Sequence, residues 1–140
     1  MSSPRTIIAL QHTTVTDERL MGEAAKAGHL VTLESDNKFY KQATAGALAQ
    51  IAILREDDLQ GKAVSDAYAS GDRARVGILR AGDRFHARMK ASETVKIGGL
   101  MEAAGGGQFQ AYTNGVALVR ALETISTGAT ADDFVLVEVL

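Results

Sequence analysis

The sequence contains no cysteine and no tryptophan, and it has a single proline among its 140 residues. Without cysteine the fold owes nothing to disulfides, and thiol catalysis and thiolate metal sites are excluded. Aromatic residues make up only 5% of the chain, so the core must be built mainly from Val, Ile, Leu and Ala. No segment approaches the ~18 apolar residues of a membrane helix, and the first residues lack the apolar run of a signal peptide. We therefore expect a soluble protein that is used without crossing a membrane.

The chain also has no excess of one charge, since 15 Lys and Arg residues are mixed with 17 Asp and Glu residues. Nucleic-acid-binding proteins usually carry a basic excess or a basic stripe, so we expect no nucleic-acid partner. Five arginines lie close together and could share one face if they stand on strands: Arg73, Arg75, Arg80, Arg84 and Arg88. The favoured interpretation of these arginines is a solvated face of a sheet.

Hydrophobic residues make up 46% of the chain, and they occur in short runs separated by turn residues. Such regular spacing is typical of a sandwich or a barrel with about nine or ten short strands. The predicted strands cover residues 29–34, 38–43, 49–54, 73–80, 84–89, 92–97, 100–103, 108–112, 116–125 and 134–140. We predict a mostly β protein, a single small β-barrel or a β-tulip-like or sandwich domain, with one or two short helices and an N-terminal arm. One of these helices is expected at residues 62–70, where apolar residues recur at helical spacing.

Residues 1–27 differ from the β-rich body predicted for residues 28–140. Leu20, Met21 and Ala24 recur at helical spacing, which predicts one or two helical turns over residues 17–27. An extended arm that becomes ordered only on a partner fits the same residues, and both interpretations stay open.

Small-Gly-Asp patterns precede several predicted strands. Glycine permits a positive φ, and aspartate can accept a hydrogen bond from its own downstream backbone. Ala27-Gly28-His29 is a variant of the same pattern. The predicted structural turn residues are Gly28, Gly71, Asp72, Gly82, Asp83, Gly98 and Gly99.

No motif for catalysis or for a cofactor is present. His12, His29 and His86 do not have the spacing of metal ligands. The acidic cluster at residues 56–58 lacks the spacing of a calcium loop and favours a solvated loop. Residues 105–107 are three glycines without the lysine of a phosphate-binding loop, and they predict a hairpin turn. We predict no catalytic residues, no cofactor and no metal.

The order of these features resembles the capsid cement, or head decoration, proteins of tailed bacteriophages. The resemblance covers about residues 27–140, and no single motif in it is diagnostic. It follows a small-Gly turn, an acidic loop, a short Asp-Ala-Tyr helix, two Gly-Asp turns, a Gly-Gly pair and a terminal apolar strand. The corresponding stretches are residues 27–29, 56–58, 66–68, 71–72, 82–83, 98–99 and 135–140.

This resemblance implies a non-enzymatic protein on the outer surface of the phage head, synthesised in the host cytoplasm. Such proteins bind between subunits of the major capsid protein and stabilise the head against the pressure of packaged DNA. They are often trimers, although dimers and monomers occur. For this chain we expect self-association, with a trimer favoured and a dimer possible, and no nucleic-acid or membrane partner. Ile7, Ile8 and Leu10 could add a strand to a capsid edge, which makes them the predicted capsid contact. The same residues could instead form the first strand of the domain.

Two other functions are compatible with the sequence. A small β-barrel or β-clip module that binds a ligand or a carbohydrate would use the same turns, although sugar sites usually present aromatic platforms and this chain has four Phe, three Tyr and no Trp. A small hydrolase or isomerase would need a site assembled by the fold, with titratable groups converging in a pocket.

Overall fold

The structure is a computed structural model, and it describes residues 15–57, 65–126, 128 and 130–140. The described residues form twelve β-strands and no helix. The strands are β1 (Val15–Met21), β2 (Ala25–Lys26), β3 (Val31–Leu33), β4 (Lys38–Lys41), β5 (Ala52–Arg55), β6 (Ala67–Tyr68), β7 (Arg73–Ile78), β8 (Arg84–Arg88), β9 (Leu100–Gly105), β10 (Gln108–Ala111), β11 (Val119–Ala121) and β12 (Phe134–Val139). The predicted mostly β class is therefore confirmed.

Five strands from the second half of the chain form the C-terminal sheet, in the order β10-β9-β11-β12-β8. All neighbours in this sheet are antiparallel. The sheet curls until its two edges meet at a parallel bridge between Met89 and Phe109. The backbone N–H of Lys90 donates to the Phe109 carbonyl oxygen at 2.9 Å beside that bridge. The result is a nearly closed, barrel-like sheet.

The other large sheet, the N-terminal sheet, has the order β3-β4-β1-β7-β5. Its neighbours are antiparallel except for β1 and β4, which are parallel. Its edges approach each other at an antiparallel bridge between Leu30 and Ile53. A short ribbon of β2 and β6 pairs Ala25 with Tyr68 and Lys26 with Ala67.

Two apolar clusters lie inside the described structure, and the one in the C-terminal sheet also includes Leu30 and Ile53, from the place where the N-terminal sheet closes. In the C-terminal sheet the rings of Phe85 and Phe109 are fully buried, with their centroids 5.9 Å apart. In the N-terminal sheet Phe39, Leu54 and Tyr68 are buried together. The Tyr68 hydroxyl donates to the Arg55 carbonyl oxygen at 2.8 Å, which satisfies the one polar atom of that side chain.

Most predicted strands are confirmed, but one is not formed and another is much shorter than expected. In the predicted strand at residues 92–97, only Val95 makes a bridge, with Ile125. Ser92 and Gly98 have φ values of 68° and 85°, and these positive values turn the chain on both sides of that bridge. The predicted strand at residues 116–125 is reduced to β11. The three glycines at residues 105–107 do form the hairpin turn between β9 and β10.

Both helix predictions are wrong for the described residues. Residues 17–27 contain β1 and β2, because the backbone of Val15 through Leu20 pairs with β7. Leu20 is exposed and Met21 is buried, which is strand alternation and not a helical stripe. Residues 65–70 contain β6, while residues 58–64 lie outside the described part. The division of the chain at residue 28 stays a prediction, and residues 1–14 also lie outside the described part.

We expect Phe109→Ala to lower the free energy of unfolding by about 3–5 kcal/mol, because Phe109 is fully buried where the C-terminal sheet closes. Ile97→Ala, at a side chain that is 68% exposed, serves as the control and should change it by less than about 0.5 kcal/mol. Urea unfolding followed by circular dichroism measures both. Equal effects of the two substitutions would contradict the proposed closure.

Candidate interaction surfaces

Within residues 15–57, 65–126, 128 and 130–140, no three His, Asp or Glu side chains lie close enough to hold one metal ion. None of these residues forms a helix of the length and hydropathy needed to cross a membrane. His29 and His86 stand on different elements, and His12 lies outside the described residues. The site of interest therefore has to be sought in buried polar groups and in the surface grooves.

A cluster of four polar side chains, the polar junction, lies where the two sheets meet. It consists of His29, Arg88, Gln108 and Asp132. The Asp132 Oδ1 atom accepts from Gln108 Nε2 at 2.8 Å and lies 2.9 Å from His29 Nε2. Arg88 donates to the carbonyl oxygens of Ala27 at 2.6 Å and of Asp132 at 3.1 Å. The junction thus ties the turn before β3 to the turn before β12.

Both ring nitrogens of His29 are occupied. The Lys26 backbone N–H donates to Nδ1 at 3.0 Å, so Nδ1 carries no proton and Nε2 donates to Asp132. Burial lowers the pKa of His29 below 6.5, against the opposing effect of the Asp132 carboxylate. A catalytic His–Asp pair needs one free nitrogen that faces a substrate. The His29–Asp132 pair therefore holds the two turns together and has no nitrogen left for proton transfer.

The Gly-Asp turns predicted from the sequence share one geometry. The residue before each aspartate has a positive φ, 91° at Gly71 and 90° at Gly82. The aspartate side chain accepts from the backbone N–H three residues earlier, at 2.8 Å for Asp72 and 2.9 Å for Asp83. These bonds run to the backbone before the aspartate, and the expected bond to the downstream backbone stays a prediction.

Two further turns use the same arrangement. Gly28 has a φ of 95°, and His29 accepts through Nδ1 in the place of the aspartate. At residues 130–133 Asp132 takes the place of the glycine with a φ of 66°, and Asp133 accepts from the Thr130 N–H at 3.1 Å. Sequence reasoning missed this turn because no glycine marks it, although Asp tolerates a positive φ better than most residues.

The predicted Gly-Gly turn differs from these. Gly98 has a φ of 85°, and the Gly99 N–H donates to the Lys96 carbonyl oxygen at 2.8 Å. A Cβ atom on Gly99 would lie 2.9 Å from that same oxygen. The close backbone approach accounts for the second glycine. The side chain that bonds to this turn comes from another segment, since the Thr124 hydroxyl oxygen accepts from the Ile97 N–H at 3.1 Å.

Glu102 is a buried carboxylate that organises the loop after β10. Its Oε1 accepts from the N–H groups of Thr113 and Gly115, both at 3.0 Å. Its Oε2 accepts from Gln110 Nε2 at 2.8 Å and from the Thr113 hydroxyl at 3.1 Å. These bonds, with that of the Thr113 N–H foremost, lower the pKa of Glu102 from 4.5 to about 2 despite its burial. Sequence reasoning missed Glu102, and its only signal was an acid within the apolar run of β9.

The structure does not assemble the five arginines into one face. Arg73 and Arg75 lie on β7 of the N-terminal sheet, whereas Arg84 and Arg88 lie on β8 of the C-terminal sheet. Arg88 is only 5% exposed and belongs to the polar junction. Arg80 is exposed in the turn between β7 and β8. The five arginines therefore lie in different places and do not form a single basic surface.

The acidic cluster is not a solvated loop in its described part. Glu56 and Asp57 are both buried, and Asp58 lies outside the described residues. Burial is the main cause that raises the pKa of Tyr68 to about 12, and the negative charge of Asp57 is the second cause. The acidic residues therefore pack beside the end of β5 and not on the surface.

Two open grooves mark the surface. Groove A, of about 610 Å³, is lined by Val95, Lys96, Leu100, Tyr112 and Ile125 among others. Leu100 and Tyr112 are more than two fifths exposed, and the neighbouring Ile97 is exposed still further. Groove A is thus an apolar depression where β9 begins and β10 ends, and the Tyr112 ring stands on its wall.

Groove B, of about 640 Å³, lies between β3 and the loop that leads to β5. It is lined by residues 31–34, 39–44, 47–50 and 52, together with Glu23. Leu48 on the loop is 78% exposed and Leu33 on β3 is 44% exposed, so apolar side chains stand on both walls. Gln42 is buried, and its Oε1 atom has no hydrogen-bond partner among the described residues.

Comparison with solved structures connects this fold to a phage head protein. The crystal structure of the head fibre gp8.5 N base in bacteriophage phi29 has a similar fold, with a TM-score of 0.59 and 13% sequence identity. The match covers 91% of this chain and 95% of the fibre base. No protein-family profile and no curated protein sequence matches the chain. At this identity the likeness establishes the fold, which the chain shares with a phage head protein over almost its whole length.

The predicted capsid contacts Ile7, Ile8 and Leu10 lie outside the described residues and stay a prediction.

We expect Glu102→Gln to lower the free energy of unfolding at pH 7 by about 1–3 kcal/mol, because it weakens charge-assisted hydrogen bonds to a buried group. The wild-type contribution of Glu102 is complete above pH 4.5 and is lost as the pH falls toward about 2, since the unfolded chain binds the proton first. In the variant, this part of the fall in the free energy of unfolding at acid pH should be missing. Urea unfolding between pH 2 and 7 measures it, with the exposed Glu18→Gln as the control. If the free energy of unfolding of Glu102→Gln fell with pH as steeply as that of the wild type, this role of Glu102 would be refuted.

We expect Asp132→Asn to lower the pKa of His29 further, because the carboxylate is what raises this pKa against burial. Asn keeps the oxygen that accepts from Nε2 and tolerates the positive φ. The stability that His29 contributes is present above its unfolded pKa of 6.5 and is lost as the pH falls below that value. Titration of both imidazoles by NMR measures the shift, and His86 is the internal control. An unshifted or raised His29 pKa would show that Asp132 does not act as described.

Proposed function

We propose that this chain is a structural protein of a bacteriophage head. More specifically, we propose that it is a capsid decoration, or cement, protein. It binds the outer surface of the head between subunits of the major capsid protein and stabilises the head against internal DNA pressure. It acts without catalysis and without a cofactor.

The fold shared with the head fibre N base of phage phi29 is the observation that carries this proposal. The match covers 91% of this chain and 95% of the fibre base, so the likeness does not rest on a local motif. A fold by itself does not determine function. The order of Gly-Asp turns, acidic residues and terminal strand along the sequence, which resembles cement proteins, supports the narrower role independently of that likeness.

The described surface suits a protein that works through many repeated contacts. Grooves A and B carry exposed apolar side chains, which on a soluble protein often mark a binding surface. On a capsid lattice each contact can be modest, because multivalent attachment of an oligomer multiplies weak affinities. We propose self-association, with a trimer favoured and a dimer as the alternative, and we propose no nucleic-acid or membrane partner.

Binding of a carbohydrate is the second candidate function, and Tyr112 is the observation that favours it. Its ring is 44% exposed on the wall of groove A, where it could stack on a sugar. Sugar-binding sites usually present several aromatic rings, and Tyr112 is the one aromatic residue that lines groove A. We therefore prefer the role in the phage head.

Purified protein mixed with heads assembled from the major capsid protein of the same genome tests the proposal. We expect saturable co-sedimentation at a fixed ratio to capsid subunits and a raised melting temperature of the heads. Unexpanded heads serve as the comparison, because the binding surface is expected on the mature lattice. If expanded heads bind no protein, the cement role is wrong. A glycan array with Tyr112→Ala as the control then tests the second function.

A further inference from the structure

The loop after β10 contains Asn114 followed by Gly115. In such a pair the backbone nitrogen of the second residue can attack the side-chain Cγ of the asparagine. The nitrogen loses its proton to solvent, the Cγ–Nδ2 bond breaks, ammonia leaves and a succinimide ring forms. Water then opens the ring and leaves aspartate or isoaspartate, so the net reaction is deamidation. Glycine favours the attack because it has no Cβ atom to restrict the backbone.

The structure exposes the side chain of Asn114 but holds the nitrogen that would attack it. Asn114 is exposed, so water has access to its side chain. The Gly115 N–H donates to Glu102 Oε1 at 3.0 Å, and the Thr113 N–H donates to the same oxygen at 3.0 Å. The electron pair that attacks Cγ takes the place of the Gly115 proton, so in the folded loop it points at the Glu102 carboxylate. The folded loop is therefore oriented against ring formation.

Close packing keeps the backbone of this loop in place. A Cβ atom on Gly115 would lie 2.4 Å from the Cα of Gly46, so the two backbones are in contact. The Val116 N–H donates to the Gly46 carbonyl oxygen at 2.9 Å, and the Gly46 N–H donates to the Ala103 carbonyl oxygen at 2.8 Å. Ring formation has to bring the Gly115 nitrogen to the Asn114 Cγ. Contacts that fix the Gly115 backbone oppose the rotation that this approach needs.

The charge of Glu102 acts in the same direction. The attacking nitrogen has to become anionic, and a carboxylate whose oxygen lies 3.0 Å away disfavours a second negative charge there. Glu102 is also a poor base, because its hydrogen bonds, that of the Thr113 N–H foremost, lower its pKa from 4.5 to about 2. The carboxylate therefore holds the Gly115 N–H without removing its proton.

We propose that Glu102 protects Asn114 from deamidation, and that Asn114 is modified only when the loop of residues 112–116 opens. The rate then follows the free energy of local opening, which is smaller than that of unfolding the whole chain. Isoaspartate adds an atom to the backbone between residues 114 and 115, so a modified loop loses the contact of Gly115 with Gly46. This inference goes beyond the proposed function and does not depend on it.

Mass spectrometry of tryptic peptides, after the purified full chain has been aged at mildly alkaline pH, tests the proposal. Residues 97–120 form one such peptide, in which Asn114 is the sole asparagine. Deamidation appears there as the mass gain of an amide converted to an acid. We expect Asn114 to react at least about tenfold more slowly in the folded chain than in the same chain unfolded by urea at the same pH.

Glu102→Gln separates the role of this carboxylate from that of folding in general. It removes the negative charge and weakens the loop, so we expect deamidation of Asn114 to be at least about fivefold faster than in the wild type. Leu54→Ala is the control, because it creates a cavity at a fully buried side chain of the N-terminal sheet and leaves the loop intact. Its rate should stay close to that of the wild type. Circular dichroism reports whether each variant is folded.

Thr113→Ala replaces Glu102→Gln if that variant does not fold. It removes the hydroxyl that donates to Glu102 Oε2 at 3.1 Å and keeps the carboxylate. We expect a smaller rise in the deamidation rate in the same direction, because the loop loses one of the bonds that hold it.

Three outcomes would overturn the proposal. One is deamidation of Asn114 that is as fast in the folded chain as in urea. Another is a rate in folded Glu102→Gln, or in Thr113→Ala in its place, that equals or falls below that of the wild type. The third is an equal rise in Leu54→Ala, which would assign the protection to the stability of the whole chain. No heads are present in this experiment, so its failure leaves the head-binding proposal standing.

Discussion

The polar junction between the two sheets is the constraint on which the rest of the structure depends. Each sheet contributes most of one apolar cluster, and residues 27–30 reach from the N-terminal cluster into the C-terminal one. Ala27 and Leu30 pack with the C-terminal sheet, whereas Ala25 and Val31 on either side pack with the N-terminal sheet. At this crossing the Arg88 side chain bonds to the Ala27 carbonyl oxygen, and its guanidinium lies 4.3 Å from the ring centroid of Phe134. Removing one partner would leave another polar group buried and unpaired. The junction therefore fixes how the two sheets are joined.

The same turn geometry recurs at this junction and away from it. A residue with positive φ reverses the chain, and the next side chain accepts the N–H three residues earlier before a strand begins. At Gly71 and Gly82 a Cβ atom would meet nothing within 4 Å, so the backbone conformation alone calls for glycine there. At Gly115 the reason is packing, because a Cβ atom would lie 2.4 Å from the Cα of Gly46. Repeated use of one turn lets a chain with few aromatic residues start its strands at defined positions.

Closure of the sheets also determines where the surface is open. The C-terminal sheet closes at the bridge between Met89 and Phe109. The N-terminal sheet closes at the bridge between Leu30 and Ile53, beside which Leu54 exchanges backbone hydrogen bonds with residues 28 and 29. Next to the bridge between Leu30 and Ile53, the loop before β5 is separated from β3, and groove B lies between them. A fold that resembles a phage head fibre base thus presents an open strand edge at one place and an apolar groove at another. A fold does not by itself determine function, so the function has to be sought in such surface features.

The sequence by itself determined the class of the fold, the positions of most strands and the main turns, because alternation of apolar side chains and the conformational freedom of glycine act locally. Only the tertiary structure decided that residues 17–21 are a strand, since β1 is paired with β7, which lies more than fifty residues further along the chain. Long-range pairing of the backbone outweighed a weak helical spacing there. It also decided the two sites that sequence reasoning missed. His29 and Asp132 are 103 residues apart, and the loop that Glu102 holds forms only once β9 and β10 have paired. Hydrogen bonds of this kind depend on side chains that meet in space, and no local pattern records which ones will meet.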